Sequence, residues 1–194
     1  MGYRHREFDH LALDDFEELF ADKPRDERWE LIGGRLVCVP AGTRWEHARI
    51  VRNIADGLDN GFAASGSPCQ SFTETFYLKS RQLDVAMLPD VMVVDGDLEP
   101  GATSVDDPLV LFEVFSPGTE ARDRVEKWHL YQQLESLQHY VLVSRDRPHL
   151  EAFDRIDGVW SRWRPLEGLD AVLTLPALGA SLSLAEIYRR VISV

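Results

Sequence analysis

The run Leu109-Val110-Leu111-Phe112-Glu113-Val114-Phe115 decides the fold, because six of its seven residues are apolar. A second run, Val91-Met92-Val93-Val94, ends the stretch of residues 84–94. Strands that are apolar on both sides are typical of the centre of a sheet whose two faces are covered. The two runs therefore predict central strands over residues 84–94 and 109–115.

Outward from these strands, the periodicity of apolar residues predicts helices and further strands. The predicted helices span residues 9–22, residues 45–62 with Gly61 as C-terminal cap, residues 120–134, and residues 184–192 with a capping box of Ser183 and Glu186. The further strands span residues 71–78 and 140–143, with hairpins about Gly33-Gly34 and Asp157-Gly158. This order predicts an α/β or α+β fold with a mixed central sheet flanked by helices, in a single domain over residues 1–194.

Composition excludes several classes of protein. The 194 residues carry a net charge of −12, which argues against binding nucleic acid through bulk positive charge. No apolar run approaches the ~20 residues of a membrane span, and residues 1–15 show no signal peptide. The two cysteines, Cys38 and Cys69, are predicted to be buried thiols, as expected of a cytoplasmic protein.

Two carboxylates stand inside the apolar strands. Asp90 follows a proline and Glu113 lies in the middle of its run, while residues 84–113 contain eight acids and no Lys or Arg. An unpaired buried carboxylate is costly, so it needs a cation, a raised pKa or a solvated strand end. Two acids at adjacent strand ends could hold Mg²⁺ or Mn²⁺, which prefer hard oxygen ligands. Solvation at fraying strand ends is the alternative.

The helix that follows the Glu113 strand offers a cation. The turn Ser116-Pro117-Gly118-Thr119 leads into this helix, which carries Asp123 and Lys127 at positions i and i+4. We expect its polar side to bring Lys127 over the two carboxylates. The alternative is a solvated surface lysine.

These residues belong to an ordered series of short motifs over about residues 8–188. The series comprises Trp29-Glu30-Leu31-Ile32-Gly33-Gly34-Arg35-Leu36, His47 at the start of a helix, Pro89-Asp90-Val91-Met92-Val93-Val94, Leu111-Phe112-Glu113-Val114-Phe115-Ser116-Pro117-Gly118-Thr119, Asp123, Lys127, Tyr131, Tyr140-Val141-Leu142-Val143 and Leu178-Gly179-Ala180-Ser181-Leu182-Ser183-Leu184. It resembles the Uma-type family of bacterial restriction endonucleases, within the PD-(D/E)XK nuclease superfamily. The resemblance implies a restriction-endonuclease-like fold and Mg²⁺-dependent hydrolysis of phosphodiester bonds.

The resemblance also implies roles for individual residues. Asp90 would be the metal-binding acid of the Pro-Asp motif, Glu113 the acid of the Glu-x-Lys motif, and Glu30 a further acid near the metal. The chain departs from the superfamily at Phe115, which stands where the motif has lysine. Lys127 matches a lysine that the Uma-type family carries on the next helix.

Two further residues, His47 and Asp123, match recurring family positions without an assigned role. A metal ion would activate water and neutralise phosphoryl oxygens, while Lys127 could orient the water or stabilise developing charge. Lys127 would act as a general base only if burial lowered its pKa.

Several of these residues also have a purely structural interpretation. Glu30 could be a rim carboxylate of its hairpin, and His47 a helix-start or surface histidine. The aromatic residues Trp128 and Tyr131 are predicted to lie in the core. A mild basic patch on or near one helix is more often a solvated face, and it comprises Arg44, Arg49 and Arg52.

Two functions remain open from the sequence. The first is a metal-dependent endonuclease acting on DNA, with affinity that is weak or assisted by a partner. The second is a catalytically silent protein of the same fold that acts as a homodimer or regulatory module. Apolar strand edges, with Trp160 and Trp163 nearby, make a homodimer the expected oligomer.

Overall fold

The computed structural model describes residues 10–24, 27–39, 44–116 and 122–192, with the backbone alone at 39 and 122–124. The helices are α1 Leu13–Ala21, α2 Trp45–Ser65, α3 Trp128–Tyr131 and α4 Leu184–Ile187, and a π-helical segment Arg122–Lys127 leads directly into α3. The strands are β1 Arg28–Ile32, β2 Arg35–Val39, β3 Gln70–Thr73, β4 Tyr77–Ser80, β5 Val85–Met87, β6 Val91–Val94, β7 Ser104–Val105, β8 Val110–Phe115, β9 His139–Ser144, β10 His149–Ile156, β11 Val159–Trp160, β12 Arg164–Glu167, β13 Val172–Leu175 and β14 Ala180–Ser183.

The central sheet is mixed, as predicted. Its strand order is β11-β10-β9-β8-β6-β3, with β12 also paired to β10. Strands β8 and β9 run parallel, whereas β6 pairs antiparallel with both β8 and β3. All residues of β6 and β8 are buried, because one apolar cluster with α2 covers one face and a second with α3 covers the other. The continuous apolar runs therefore have the predicted cause.

A second sheet, of order β2-β1-β5-β4-β7, carries Glu30 on β1. Its β1–β2 hairpin turns at Gly33 and Gly34, with φ of 55° and 78°. These positive values are those of the predicted primed turn, which glycine adopts without steric cost.

Two predicted strands are wrong in the same way, because each is divided between the two sheets. Residues 71–78 form β3 and β4, separated at Glu74, whose φ is 39°. Residues 84–94 form β5 and β6, separated at Pro89, which has no N–H for a ladder. The Glu74 amide donates to Pro89 O at 3.3 Å, so the two crossings between the sheets lie side by side.

The helix ends also differ from prediction. Helix α2 continues through Gly61 to Ser65 and ends at Gly66, whose left-handed φ of 68° makes it the cap. The predicted helix over residues 184–192 is α-helical only over Leu184–Ile187, although its capping box is present. The first helix begins at Leu13, and residue 9 lies outside the described residues.

The predicted helix over residues 120–134 is short and irregular. Its first turn lies outside the described residues, and Val125 of the π-helical segment is 62% exposed. Arg155 ties the end of this helix to β10, since it donates to Gln132 O at 2.7 Å and to Leu134 O at 2.8 Å. Its guanidinium also lies 4.6 Å from the centre of the Trp160 ring.

The structure also bears on the predictions about the cysteines, the two C-terminal tryptophans and membrane spans. Neither cysteine is buried, because Cys38 is exposed and Cys69 is half-buried. Trp160 is half-buried and packs edge-on against Trp128, whereas Trp163 is 54% exposed. Within the described ranges, none of the helices is both long and apolar enough to cross a membrane.

Candidate functional site

The two central acids lie opposite each other, Glu113 within β8 and Asp90 directly before β6. Val91 of β6 pairs with Phe112 of β8, so Asp90 and Glu113 are the next positions in this antiparallel register. Asp90 Oδ2 accepts the Val114 amide at 2.6 Å, which fixes its carboxylate against β8. Neither acid is at a fraying end, because Glu113 is 3% exposed and the Asp90 side chain 15%. The solvated alternative is therefore wrong.

Glu113 belongs to a buried group that we call the lysine cluster, made up of Glu30, Glu113, Lys127 and Tyr131. Lys127 Nζ donates to Glu113 Oε1 at 2.8 Å, and the Tyr131 hydroxyl donates to the same oxygen at 2.8 Å. Lys127 is 3% exposed and one of three lysines in the chain. The structure thus brings the helix-borne lysine to the strand carboxylate, and a solvated surface lysine is excluded.

Glu30 completes the lysine cluster from the second sheet. It is 2% exposed, so a rim carboxylate is excluded. Glu30 Oε1 accepts the Leu88 amide at 2.8 Å and lies 3.8 Å from Lys127 Nζ. The Lys127 ammonium therefore lies close to two carboxylates, one from each sheet.

Tyr131 is a core residue with a polar role. Its side chain belongs to the apolar cluster under α3, as predicted, but its hydroxyl reaches Glu113. Burial raises the pKa of Tyr131 well above its usual value, and the negative charge of Glu113 raises it further. The hydroxyl therefore stays protonated and remains a hydrogen-bond donor to the carboxylate.

Asp90 belongs to a second group, the histidine cluster, made up of His47, Glu74 and Asp90. His47 Nε2 lies 3.2 Å from Asp90 Oδ1 and 3.6 Å from Glu74 Oε1. One ligand atom from each residue lies within 4.8 Å of the other two. Since the His47 side chain is only 16% exposed, a surface histidine is wrong, although it does lie in the first turn of α2.

The two carboxylates determine the charge of His47. Burial disfavours the imidazolium, but hydrogen bonds to Asp90 and Glu74 and the charges of these acids outweigh it. Together they raise the pKa of His47 from 6.5 to about 10. At neutral pH the imidazole is therefore protonated and neutralises part of the acidic site.

Glu74 is a site residue that the sequence analysis missed. It lies at the crossing between the two sheets, and Arg28 holds it there by donating to Glu74 O at 2.7 Å. A signal was present in the alternation Phe72, Glu74, Phe76, which puts an acid on the otherwise apolar side of a strand. A positive φ in a residue other than glycine is uncommon, and such strain clusters at functional sites.

The predicted residues thus fall into two adjoining groups rather than one. Asp90 lies with His47 and the unexpected Glu74, whereas Glu113 lies with Lys127 and Glu30. The side chain of Asp123 lies outside the described residues, as does most of the turn that precedes it.

Comparison with known proteins identifies the family to which this geometry belongs. The profile of the family Uma2, described as "Putative restriction endonuclease", matches residues 13–185. The chain belongs to the Uma2 family. It is 25% identical over 177 residues to "Uncharacterized protein slr1290" of Synechocystis sp., covering 89% of this chain and 90% of that protein.

A solved structure confirms the fold expected of a Uma2 protein. The chain is similar to the crystal structure of a "putative nuclease belonging to DUF820" from Anabaena variabilis, with a TM-score of 0.70 and 17% sequence identity. The match covers 92% of this chain and 97% of that one. The predicted restriction-endonuclease-like fold is therefore confirmed.

The donor atoms of this Uma2 chain fit a divalent cation. Carboxylate oxygens of Asp90 and Glu74 are hard ligands suited to Mg²⁺ and Mn²⁺, while the His47 imidazole is a ligand only after it loses its proton. Both acids remain partly exposed, at 15% and 27% of their side chains, which leaves an approach from solvent.

Proposed function

We propose that this Uma2 protein is a divalent-metal-dependent nuclease that hydrolyses phosphodiester bonds of DNA. One observation carries the proposal: Asp90 and Glu113 are opposite each other in the register of β6 and β8, and a buried lysine contacts Glu113 at 2.8 Å. Burying two acids and a lysine together is expensive for stability alone, so this arrangement favours a chemical role.

Asp90 is the principal metal ligand in this proposal. Glu113 is the second, as the resemblance implies, and Glu74 joins them from the other side of Asp90. When bound, Mg²⁺ or Mn²⁺ would activate a water and neutralise phosphoryl oxygens. Its charge would also offset part of the acidity of residues 84–113, which otherwise repels a phosphate.

Lys127 supplies positive charge beside Glu113. Its ammonium donates a hydrogen bond to Glu113 and lies 3.8 Å from Glu30, so it is preorganised to stabilise negative charge that develops on a phosphoryl oxygen. Glu30 is anchored by the Leu88 amide, and we assign to it the orientation of Lys127. A direct contact of Glu30 with the metal stays a prediction.

His47 carries a proton next to Asp90. Because its pKa is about 10, it is suited to donate a hydrogen bond or a proton rather than to accept one at neutral pH. We propose that it neutralises Asp90 and Glu74 in the metal-free protein and yields as the cation binds.

Calorimetric titration with Mn²⁺ and Mg²⁺ tests the metal site. Asp90→Asn should abolish binding, whereas Asp97→Asn, an exposed acid of the same acidic stretch, should leave it unchanged. Equal affinity of the two variants would remove Asp90 from the site.

A plasmid-nicking assay tests the chemistry. Wild-type protein should nick DNA with Mn²⁺ and stop with chelator, and Asp90→Asn protein should be inactive. Metal binding without any cleavage would overturn the nuclease and favour the catalytically silent interaction module.

A further inference from the structure

The outward face of α2, the helix that carries His47, is rich in arginine and has an exposed tryptophan. Trp45, the first residue of α2, is 60% exposed. Arg44 and Arg52 are exposed, and Arg49 is half-buried. His47 follows Trp45 by two residues, which is about 200° around the helix, so the two side chains project to nearly opposite sides of α2.

The end of α4 adds two arginines to this face. Asn53 of α2 donates to Ile187 O at 2.9 Å and to Arg189 O at 3.0 Å, which fixes the C-terminal segment alongside α2. Arg189 and Arg190 are both exposed. We call the whole surface the arginine face, and it comprises Arg44, Trp45, Arg49, Arg52, Arg189 and Arg190.

The arginine face is positive within an acidic protein. Its five arginines are opposed by Asp56, which lies 3.5 Å from Arg52, by the half-buried Glu46, and by the exposed Glu186, whose charge interacts with that of Arg189. The chain as a whole carries −12, so bulk electrostatics gives little affinity for a polyanion. Arginine side chains can offset this low affinity locally, because the planar guanidinium donates hydrogen bonds to two phosphate oxygens at once.

Trp45 adds a contact that does not depend on charge. An exposed indole presents a flat apolar surface on which an unpaired base stacks, and such stacking tolerates any base. Bases inside a duplex already stack on one another and cannot reach this ring. The combination of arginine and exposed aromatic is therefore suited to a single strand rather than to duplex DNA.

We propose that the arginine face binds single-stranded or frayed DNA, with an unpaired base on Trp45. This inference rests on the proposed nuclease function and adds the form of its substrate. The phosphates contact the arginines along about 12 Å of helix axis between Arg44 and Arg52.

Fluorescence anisotropy with a labelled 12-nucleotide single strand and a hairpin duplex, both in EDTA, tests the proposal. The wild-type protein should bind the single strand more tightly. Trp45→Ala should weaken this binding about 10-fold, and Trp45→Phe should restore most of it. Arg49→Ala should weaken it too and reduce the slope of log K against log salt by about 0.7.

The chain offers a matched control in Arg162-Trp163, a second exposed Arg-Trp pair outside the arginine face. Arg162→Ala and Trp163→Ala should leave the affinity unchanged. Equal losses at Trp45 and Trp163, or tighter binding of the duplex, would overturn the proposal. So would a change of sedimentation coefficient in Trp45→Ala without a change in DNA affinity, because the face would then contact a second copy of the chain.

Binding in EDTA separates this inference from the proposed function. Loss of metal binding or cleavage would contradict the nuclease, while Trp45-dependent binding of a single strand would still support the arginine face. Equal affinity of wild type and Trp45→Ala for the single strand, with cleavage retained, would contradict the arginine face and leave the proposed nuclease function unaffected.

Discussion

Lys127 Nζ lies 2.8 Å from Glu113 Oε1, and the two side chains are 4% and 3% exposed. Breaking a buried pair is more damaging than never having made it, because the remaining charge stays in a medium of low polarity. This relationship makes the proposed site a strong determinant of stability as well as of chemistry.

Lys127→Ala should lower the free energy of unfolding by about 3–5 kcal/mol, measured by urea denaturation, because Glu113 and Glu30 lose their shared cation. The matched control is Lys79→Ala. Lys79 pairs with Glu17 at 2.7 Å but both side chains are substantially exposed, so we expect a loss of about 1 kcal/mol or less. Equal losses in the two variants would show that Lys127 is not buried as described.

The double variant Lys127→Met with Glu113→Gln tests whether the loss comes from the charge left on Glu113. It removes both charges of the pair and keeps the volume of the side chains, so it should recover part of the stability that Lys127→Ala loses, although Glu30 still lacks its cation. A double variant as unstable as Lys127→Ala would show that the ion pair itself stabilises the fold and that the charge left on Glu113 is not the cause.

His47 should make stability depend on pH. Its pKa is about 10 in the folded protein and 6.5 in the unfolded chain, so folding favours the protonated form. The stabilisation is fully present below pH 6.5 and is lost as pH rises through 10. Urea denaturation in EDTA should therefore show the wild-type advantage over His47→Gln shrinking between pH 6 and pH 10.

The cause of the raised pKa can be tested directly. NMR titration of the His47 ring should give a pKa that falls toward 6.5 in Asp90→Asn, since the strongest partner has lost its charge. An unchanged pKa in this variant, or a constant gap between wild type and His47→Gln over the pH range, would contradict the histidine cluster.

Arg155 should control the order of the helix that carries Lys127. Arg155→Ala removes hydrogen bonds to Gln132 O and Leu134 O, so we expect a loss of about 2–4 kcal/mol and faster hydrogen exchange at residues 125–133. Arg155→Lys should not rescue, because an ammonium lacks the planar fork. Exchange that rises equally in the strands would indicate global destabilisation instead.

The central strands were predictable because their signal is local. Glu113 and its apolar neighbours are buried on both faces, and that environment is visible in the run itself. Gly33 and Gly34 likewise indicate their turn, because its two central positions require positive φ. In such places the residue type and the conformation are linked directly.

The division of the strands between the sheets and the burial of the site residues depend on contacts between residues that are distant in the sequence, so the sequence does not predict them. Glu74 and Pro89 divide two predicted strands between two sheets, and their alignment becomes visible only in three dimensions. His47 looked like a surface residue because its burial comes from Asp90 and Glu74, far away in the chain. The same holds for Glu30, which meets Lys127 from the other sheet.

The scarcity of lysine has a practical consequence. Lys127 is 3% exposed, and the other two lysines, Lys23 and Lys79, lie on more accessible surfaces. Reductive methylation with ¹³C-formaldehyde should thus label Lys23, Lys79 and the amino terminus while the folded protein shields Lys127. Lys127 can therefore report on the state of the lysine cluster, because a methyl signal from it would arise only when the carboxylates release its ammonium.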